Sequence, residues 1–285
     1  VGNGEGKIYA NPDSSYAFSD ELDAGAQYVY PYGYLSTIEN FDMFDTSYVT
    51  DMYKMFQYFG GYNYGSIDLS FVNNMDTSNV TNMSYMFFSA GDGAKDTASI
   101  DISKWNTSNV TNMSSMFYNF GKQAATLNMN LNGLDTGKVT SMYCMLRYAG
   151  NLSTDWNVTG YGNFNVSNVT NLGYMFGNVG TNDIDFAFED FSNWNTSKVT
   201  QINYLFGESG MNATNYSVTG IDKWDLSSVY NYNSLFYRAG YNSTTFNIGD
   251  LSDWDTSSAT DMGFIFGSAG YIASDWYVGD LSDWD

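Results

Sequence analysis

The sequence predicts an α/β repeat solenoid, in which about eight coils of roughly 30 residues stack a strand and a short helix each along one continuous parallel sheet. Three observations carry that prediction. A valine recurs at near-constant spacing, a glycine stands at a fixed distance behind it, and the apolar period switches from three or four residues to two within every unit.

The valine closes an S-x-V-T pattern at Val49, Val80, Val110, Val139, Val169, Val199 and Val229, with Ala259 in the same slot, at spacings of 29 to 31 residues. Eleven residues on stand Gly60, Gly91, Gly121, Gly150, Gly180, Gly210, Gly240 and Gly270. A glycine in every unit marks a backbone turn in the left-handed region, where a side chain is costly. Between anchor and glycine the apolar slots fall three, six, seven and ten residues past the anchor, as in Met113, Met116, Phe117 and Phe120. That spacing predicts one face of a helix of two to three turns, with the Thr, Ser, Asn and Asp around the anchor as cap candidates.

After the glycine, Trp156 and Val158, Phe186 and Phe188, Tyr216 and Val218, Phe246 and Ile248, and Trp276 and Val278 alternate with polar or small residues. Period two predicts a strand with one face inward. A turn then carries a large apolar residue five before the next anchor, as in Trp105, Trp194, Trp224 and Trp254. A unit of this size cannot cover its own apolar face, so neighbours stack into a rod of about 40 Å at the strand spacing of a sheet.

Residues 1–40 read as an N-terminal cap with a degenerate repeat, because Tyr16, Ala17 and Phe18 imitate the later units, and 41–285 as the solenoid with an incomplete last coil. The sequence stops at Asp285, where the next Thr-Ser-Val would begin. Three readings stay open: a chain continuing into more repeats or an anchor, an end that docks another subunit, and a frayed last coil.

The runs "WNTSNVTNMSSMFYNFG" (105–121), "MDTSNVTNMSYMFFSAG" (75–91) and "WDTSSATDMGFIFGSAG" (254–270) resemble the BspA-like, leucine-rich-repeat-type surface repeats of bacteria. The resemblance covers 41–285. It implies a leucine-rich-repeat-like solenoid on secreted or wall-associated proteins, linked to adhesion and partner binding. The unit here is longer than the family's usual one and lacks the Cys common after its M-F element, so a β-solenoid of another cross-section stays open.

Composition removes other functions. The chain has 31 acidic and 10 basic side chains, a net charge of −21, which opposes nucleic-acid binding. It has no histidine for a triad or a His-ligated metal, and Cys144 has no partner for a disulfide. No apolar run is long enough to span a bilayer. These absences predict a chain that is no enzyme and uses no organic cofactor.

Two sets of polar residues are candidate sites. "GDLSDWD" occurs at 249–255 and 279–285, which stacks Asp250, Asp253 and Asp255 over Asp280, Asp283 and Asp285. Such carboxylates repel, and Ca2+ with its oxygen ligands relieves the repulsion; the competing reading is solvated turn aspartates. The outward strand positions include Asp155, Asn157, Asp185, Glu189, Asn215, Ser217, Asn247, Asp275 and Tyr277. Their chemistry varies from unit to unit while the inward slots stay apolar, so packing does not dictate them. The sequence therefore predicts an extracellular or cell-surface solenoid that adheres to a surface or binds a protein or glycan. The alternative is a structural subunit of a filament or surface layer that self-associates end to end.

Overall fold

The computed structural model describes residues 6–19, 34–274 and 276–284, which form a parallel β-solenoid. Strand β1 (Ile8–Tyr9) pairs with β2 (Phe44–Asp45). Strands β3 (Ile67–Asp68), β4 (Thr97–Asp101), β5 (Thr126–Asn130) and β6 (Asp155–Thr159) make one parallel sheet, and β7 (Asp185–Ala187), β8 (Asn215–Ser217) and β9 (Thr245–Asn247) make another. Register joins like slots: Leu127 lies beside Trp156, and Phe186, Tyr216 and Phe246 form one row. Their side chains point inward, as the period of two predicts.

The segment between anchor and glycine is not the predicted helix; no α-helix occurs among the described residues. It is a run of turns that shares its hydrogen bonds between two coils. In the unit anchored on Val110, the N–H groups of Met113, Ser115, Phe117 and Asn119 donate to the carbonyls of Ser141, Tyr143, Met145 and Arg147 in the next coil, at 2.8–3.2 Å. The alternate N–H groups, of Met116, Tyr118, Phe120 and Lys122, close turns onto carbonyls three residues back. Ser115 and Asn119 take left-handed φ values of 55° and 59°, and the same two slots do so in neighbouring units, as at Tyr85 and Ser89.

Spacing explains the substitution. Packed α-helices need axes about 8–10 Å apart, whereas strands pair about 4.8 Å apart. A turn run lets both walls of the coil share the smaller rise. The apolar slots are unchanged, since i→i+3 turns place residues three and four apart on the same side, and Met113, Met116, Phe117 and Phe120 are fully buried. A left-handed non-glycine residue costs about 1–2 kcal/mol. The inter-coil bonds offset that cost.

The core consists of stacks along the rod. Phe56, Phe87 and Phe117 lie ring on ring with centroids 5.3 and 5.4 Å apart, and Phe176, Phe206, Phe236 and Phe266 form a second such column. The Trp slot fills the inner corner: Trp194 and Trp224 stack at 5.8 Å, and Trp105, Trp194 and Trp254 each donate Nε1–H to the carbonyl 33 residues earlier. Thr46, Thr77, Thr107, Thr136 and Thr196 are buried and donate Oγ1–H to a carbonyl of the following coil. Asp45, Asp76, Asp135, Asp225 and Asp255 each accept the N–H two residues on, so much of the acidity closes corners.

The predicted single sheet is divided between β2 and β3 and again, at the coil that carries β7, between β6 and β7. Where neighbouring units bury a small residue, Ala124, Ser153, Ala213 or Ser243, this coil has Asp183. Its carboxylate accepts N–H from Trp156 at 3.0 Å and from Asp185 at 3.2 Å, replacing a backbone rung.

Two outcomes follow. Phe117→Ala removes the middle of a ring column and should cost about 3–5 kcal/mol in chemical denaturation. Asp92 is half-buried, and burial pushes its carboxyl up to about 6 despite Lys122 and Lys95 nearby. Its folded value exceeds the unfolded one, so the folded state binds more protons between about pH 4 and 6 and stability rises as pH falls through that window. In thermal melts, Asp92→Asn should be more stable than the parent at pH 7 and should lack the parent's gain between pH 7 and 5.

Candidate functional site

The outward strand face is built of hydrogen-bonded polar columns. On the first sheet, Asn157 donates Nδ2–H to Asn128 Oδ1 at 3.1 Å, and Asn132 bridges Asn130 Oδ1 at 2.9 Å and Thr159 Oγ1 at 3.1 Å. These residues, with Ser70, Ser99 and Asp101, line an open groove of about 430 Å3 along the rod. Burial works against the Asp101 carboxylate, but the Ser103 amide and hydroxyl and Asn130 offset it and hold the group below its usual range. The groove offers amide, hydroxyl and carboxylate groups and no cation.

On the second sheet Asn215 donates to Asp185, and Thr245 Oγ1 donates to Asn215 Oδ1 at 2.7 Å. Asn247 and Tyr277 meet Asp250, Phe246 and Trp276 around a groove of about 680 Å3. Asp155 is exposed at the start of β6 and Ser217 is half-buried at the end of β8. Asp275 lies outside the described residues.

Glu189 has a different place from the one its period suggests. Its carboxylate turns back across the divided sheet and accepts N–H from Gly160 at 2.9 and 3.0 Å and from Gly162 at 2.7 Å. Its own N–H donates to the buried Tyr161 hydroxyl at 2.8 Å. Asp183 and Glu189 together hold the junction where the backbone ladder is interrupted.

Of the stacked aspartates, Asp250 and Asp280 use Oδ1 to accept the N–H of Ser252 and Ser282; the Ser252 hydroxyl and then its amide lower the Asp250 carboxyl, and the Ser282 amide and then its hydroxyl lower that of Asp280. Asp255 does the same with Ser257, its hydroxyl contributing first. Asp253 and Asp283 are exposed beside them, and Asp285 lies outside the described residues. Among the described residues no three His, Cys, Asp or Glu side chains converge as a metal-ion set. Cys144 is buried, and that burial raises its thiol.

The turn wall carries an aromatic stripe that the outward-strand argument missed. Phe88 stacks on Tyr118 at 4.8 Å and Tyr174 on Tyr204 at 5.0 Å, while the Arg147 guanidinium lies 4.3 Å from the Tyr174 centroid and 5.0 Å from Tyr148. Its signal was the recurrence of Tyr and Phe at the left-handed slots, as in Tyr85, Tyr148, Tyr174, Tyr204 and Phe264. Elsewhere along the stripe the rings meet edge to face, as Tyr118 does with Tyr148 and Tyr237 with Phe264.

The fold and these surfaces define a repeat protein, a parallel β-solenoid whose polar groups are arrayed in columns and not gathered in a cleft. Among the described residues no helix is long and apolar enough to cross a membrane. The chain belongs to the family described as Mycoplasma protein of unknown function, DUF285, which matches it over 33–158, 68–185, 122–239 and 179–285. No curated protein and no solved structure matches it.

The junction yields a test. In Glu189→Ala the amides of Gly160 and Gly162 lose their acceptor, and a lost charge-assisted bond costs about 1–3 kcal/mol. Hydrogen exchange should accelerate at Gly160 and Gly162 while the amide of Phe117, in the turn ladder, keeps its rate.

Proposed function

We propose that this chain is a non-catalytic surface solenoid, secreted or displayed on a cell, that binds a partner along the outward faces of its two larger sheets. The observation that carries the reading is the contrast between the two sides of each strand. Inward residues are held apolar by the ring columns, whereas the outward row sixteen past the anchors runs Thr126, Asp155, Asp185, Asn215 and Thr245. Amide and hydroxyl columns suit ligands that both donate and accept, such as polypeptide or neutral glycan. The net charge of −21 favours a cationic partner over an anionic one.

Asp155 and Asp185 are exposed, and their carboxylates, unlike that of Glu189, take no part in the junction, Asp185 accepting from Asn215 alone, so they are the residues to reverse. Binding of the chain to an oligolysine peptide and to an array of neutral glycans should be compared for the parent and for Asp155→Lys with Asp185→Lys. The double variant should lose at least about tenfold in peptide affinity, or 1.4 kcal/mol, and keep its melting temperature. Unaltered peptide binding, with no glycan bound by the parent, would remove this face from consideration.

A further inference from the structure

The groove on the first sheet contains the one Asn-Gly pair among the described residues, Asn132–Gly133. Both residues are exposed, in the turn that follows β5. The same turn in other coils reads Ser103–Lys104, Ser192–Asn193 and Ser252–Asp253, so the repeat does not dictate the pair. In this coil the second residue is left-handed, at φ 88°, and a Cβ on it would stand 2.8 Å from the Ser103 carbonyl oxygen. The turn as built therefore admits only glycine behind Asn132.

Asn132 belongs to a one-way relay of hydrogen bonds along the rod. Asn130 donates to the Asp101 carboxylate. Asn132 Nδ2–H in turn donates to Asn130 Oδ1 at 2.9 Å and to Thr159 Oγ1 at 3.1 Å, and its backbone N–H meets the same Asn130 oxygen at 3.2 Å. The Gly133 N–H has no acceptor among the described residues, so its nitrogen is not tied into a ladder. Asn128, Asn157 and Asn215 differ, because Met129, Val158 and Tyr216 behind them carry side chains and lie inside paired strands.

We propose that Asn132 is a site of self-modification, at which the Gly133 nitrogen attacks Cγ and the side-chain amide is lost. The N–Cγ bond forms, the Cγ–Nδ2 bond breaks, and ammonia leaves with the proton that Gly133 gives up. Water then opens the resulting succinimide ring at one of its two carbonyls, leaving aspartate or isoaspartate. The step needs only water, and glycine favours it because no Cβ crowds the approaching nitrogen.

The product alters the groove. A carboxylate cannot donate to Asn130 Oδ1, so the relay breaks there, and a second negative charge joins Asp101. On the binding function proposed above, on which this consequence alone rests, the groove gains affinity for a cationic partner as the protein ages.

The folded protein, kept in mildly alkaline buffer made with heavy-oxygen water, tests the site by peptide mass mapping over time. Heavy oxygen should enter at Asn132 at least about tenfold faster than at Asn128, Asn157 or Asn215, a barrier difference of about 1.4 kcal/mol. Asn132→Gln, whose longer side chain disfavours ring closure, should abolish uptake there at unchanged melting temperature. Asn132→Asp supplies the product from the start and should bind oligolysine about three- to fivefold tighter than fresh parent at low salt, the worth of one added charge near the surface. Equal uptake at Asn132 and the three strand asparagines, or uptake at Asn132 only after the chain is unfolded in urea, would overturn the proposal. Mass mapping uses no ligand, so fast uptake with unaltered oligolysine affinity upholds the modification and counts against the binding reading alone.

Discussion

Every coil of this protein must advance along the rod by the same small step. The strand wall sets that step, since parallel strands bond about 4.8 Å apart, and the opposite wall has to comply. A helix is too wide to comply. The turn run does so by giving half of its N–H groups to the next coil and half to its own turns, with a left-handed residue at two slots per unit. From that division follow the invariant glycine, the ring columns and the buried threonines. The glycine shows how little room remains: a Cβ on Gly121 would stand 2.4 Å from the Cβ of Ala98.

Much of this was legible in the residues because stacking makes slots repeat. The anchor, the glycine, the inward pairs up to Phe246 and Ile248 and the tryptophan corner sit where their spacing placed them, whereas Trp276 is exposed and lies outside any strand. The helix was misread for a physical reason. Residues three and four apart share a face in a helix and also in consecutive i→i+3 turns, so apolar period alone does not separate the two. Rise does separate them, and so do the Tyr and Ser at the left-handed slots.

The candidate surface was legible in outline. Outward strand positions are outward, but two of their acidic neighbours are not bystanders. Asp183 falls in a slot that other units fill with Ala or Ser, and that single departure marks where the backbone ladder yields to carboxylates. Glu189 looked outward by count, yet it faces Gly160 and Gly162, because parity along a strand ceases to hold once the sheet is divided. The acidity as a whole has the same double meaning. Many aspartates close corners by accepting the N–H two residues on, and the charge left on the surface is a by-product of how the chain turns.

The indole and threonine bonds point in opposite directions along the rod. Trp105 reaches back to Val72, a carbonyl made earlier in synthesis, while Thr107 reaches forward to Asp135, one made later. A coil leaving the ribosome can thus seat its tryptophan at once on the coil before it, and its threonine only when the next arrives. Growth of the fold has a polarity written into two side chains two residues apart, and the newest coil serves as the template on which its successor is ordered.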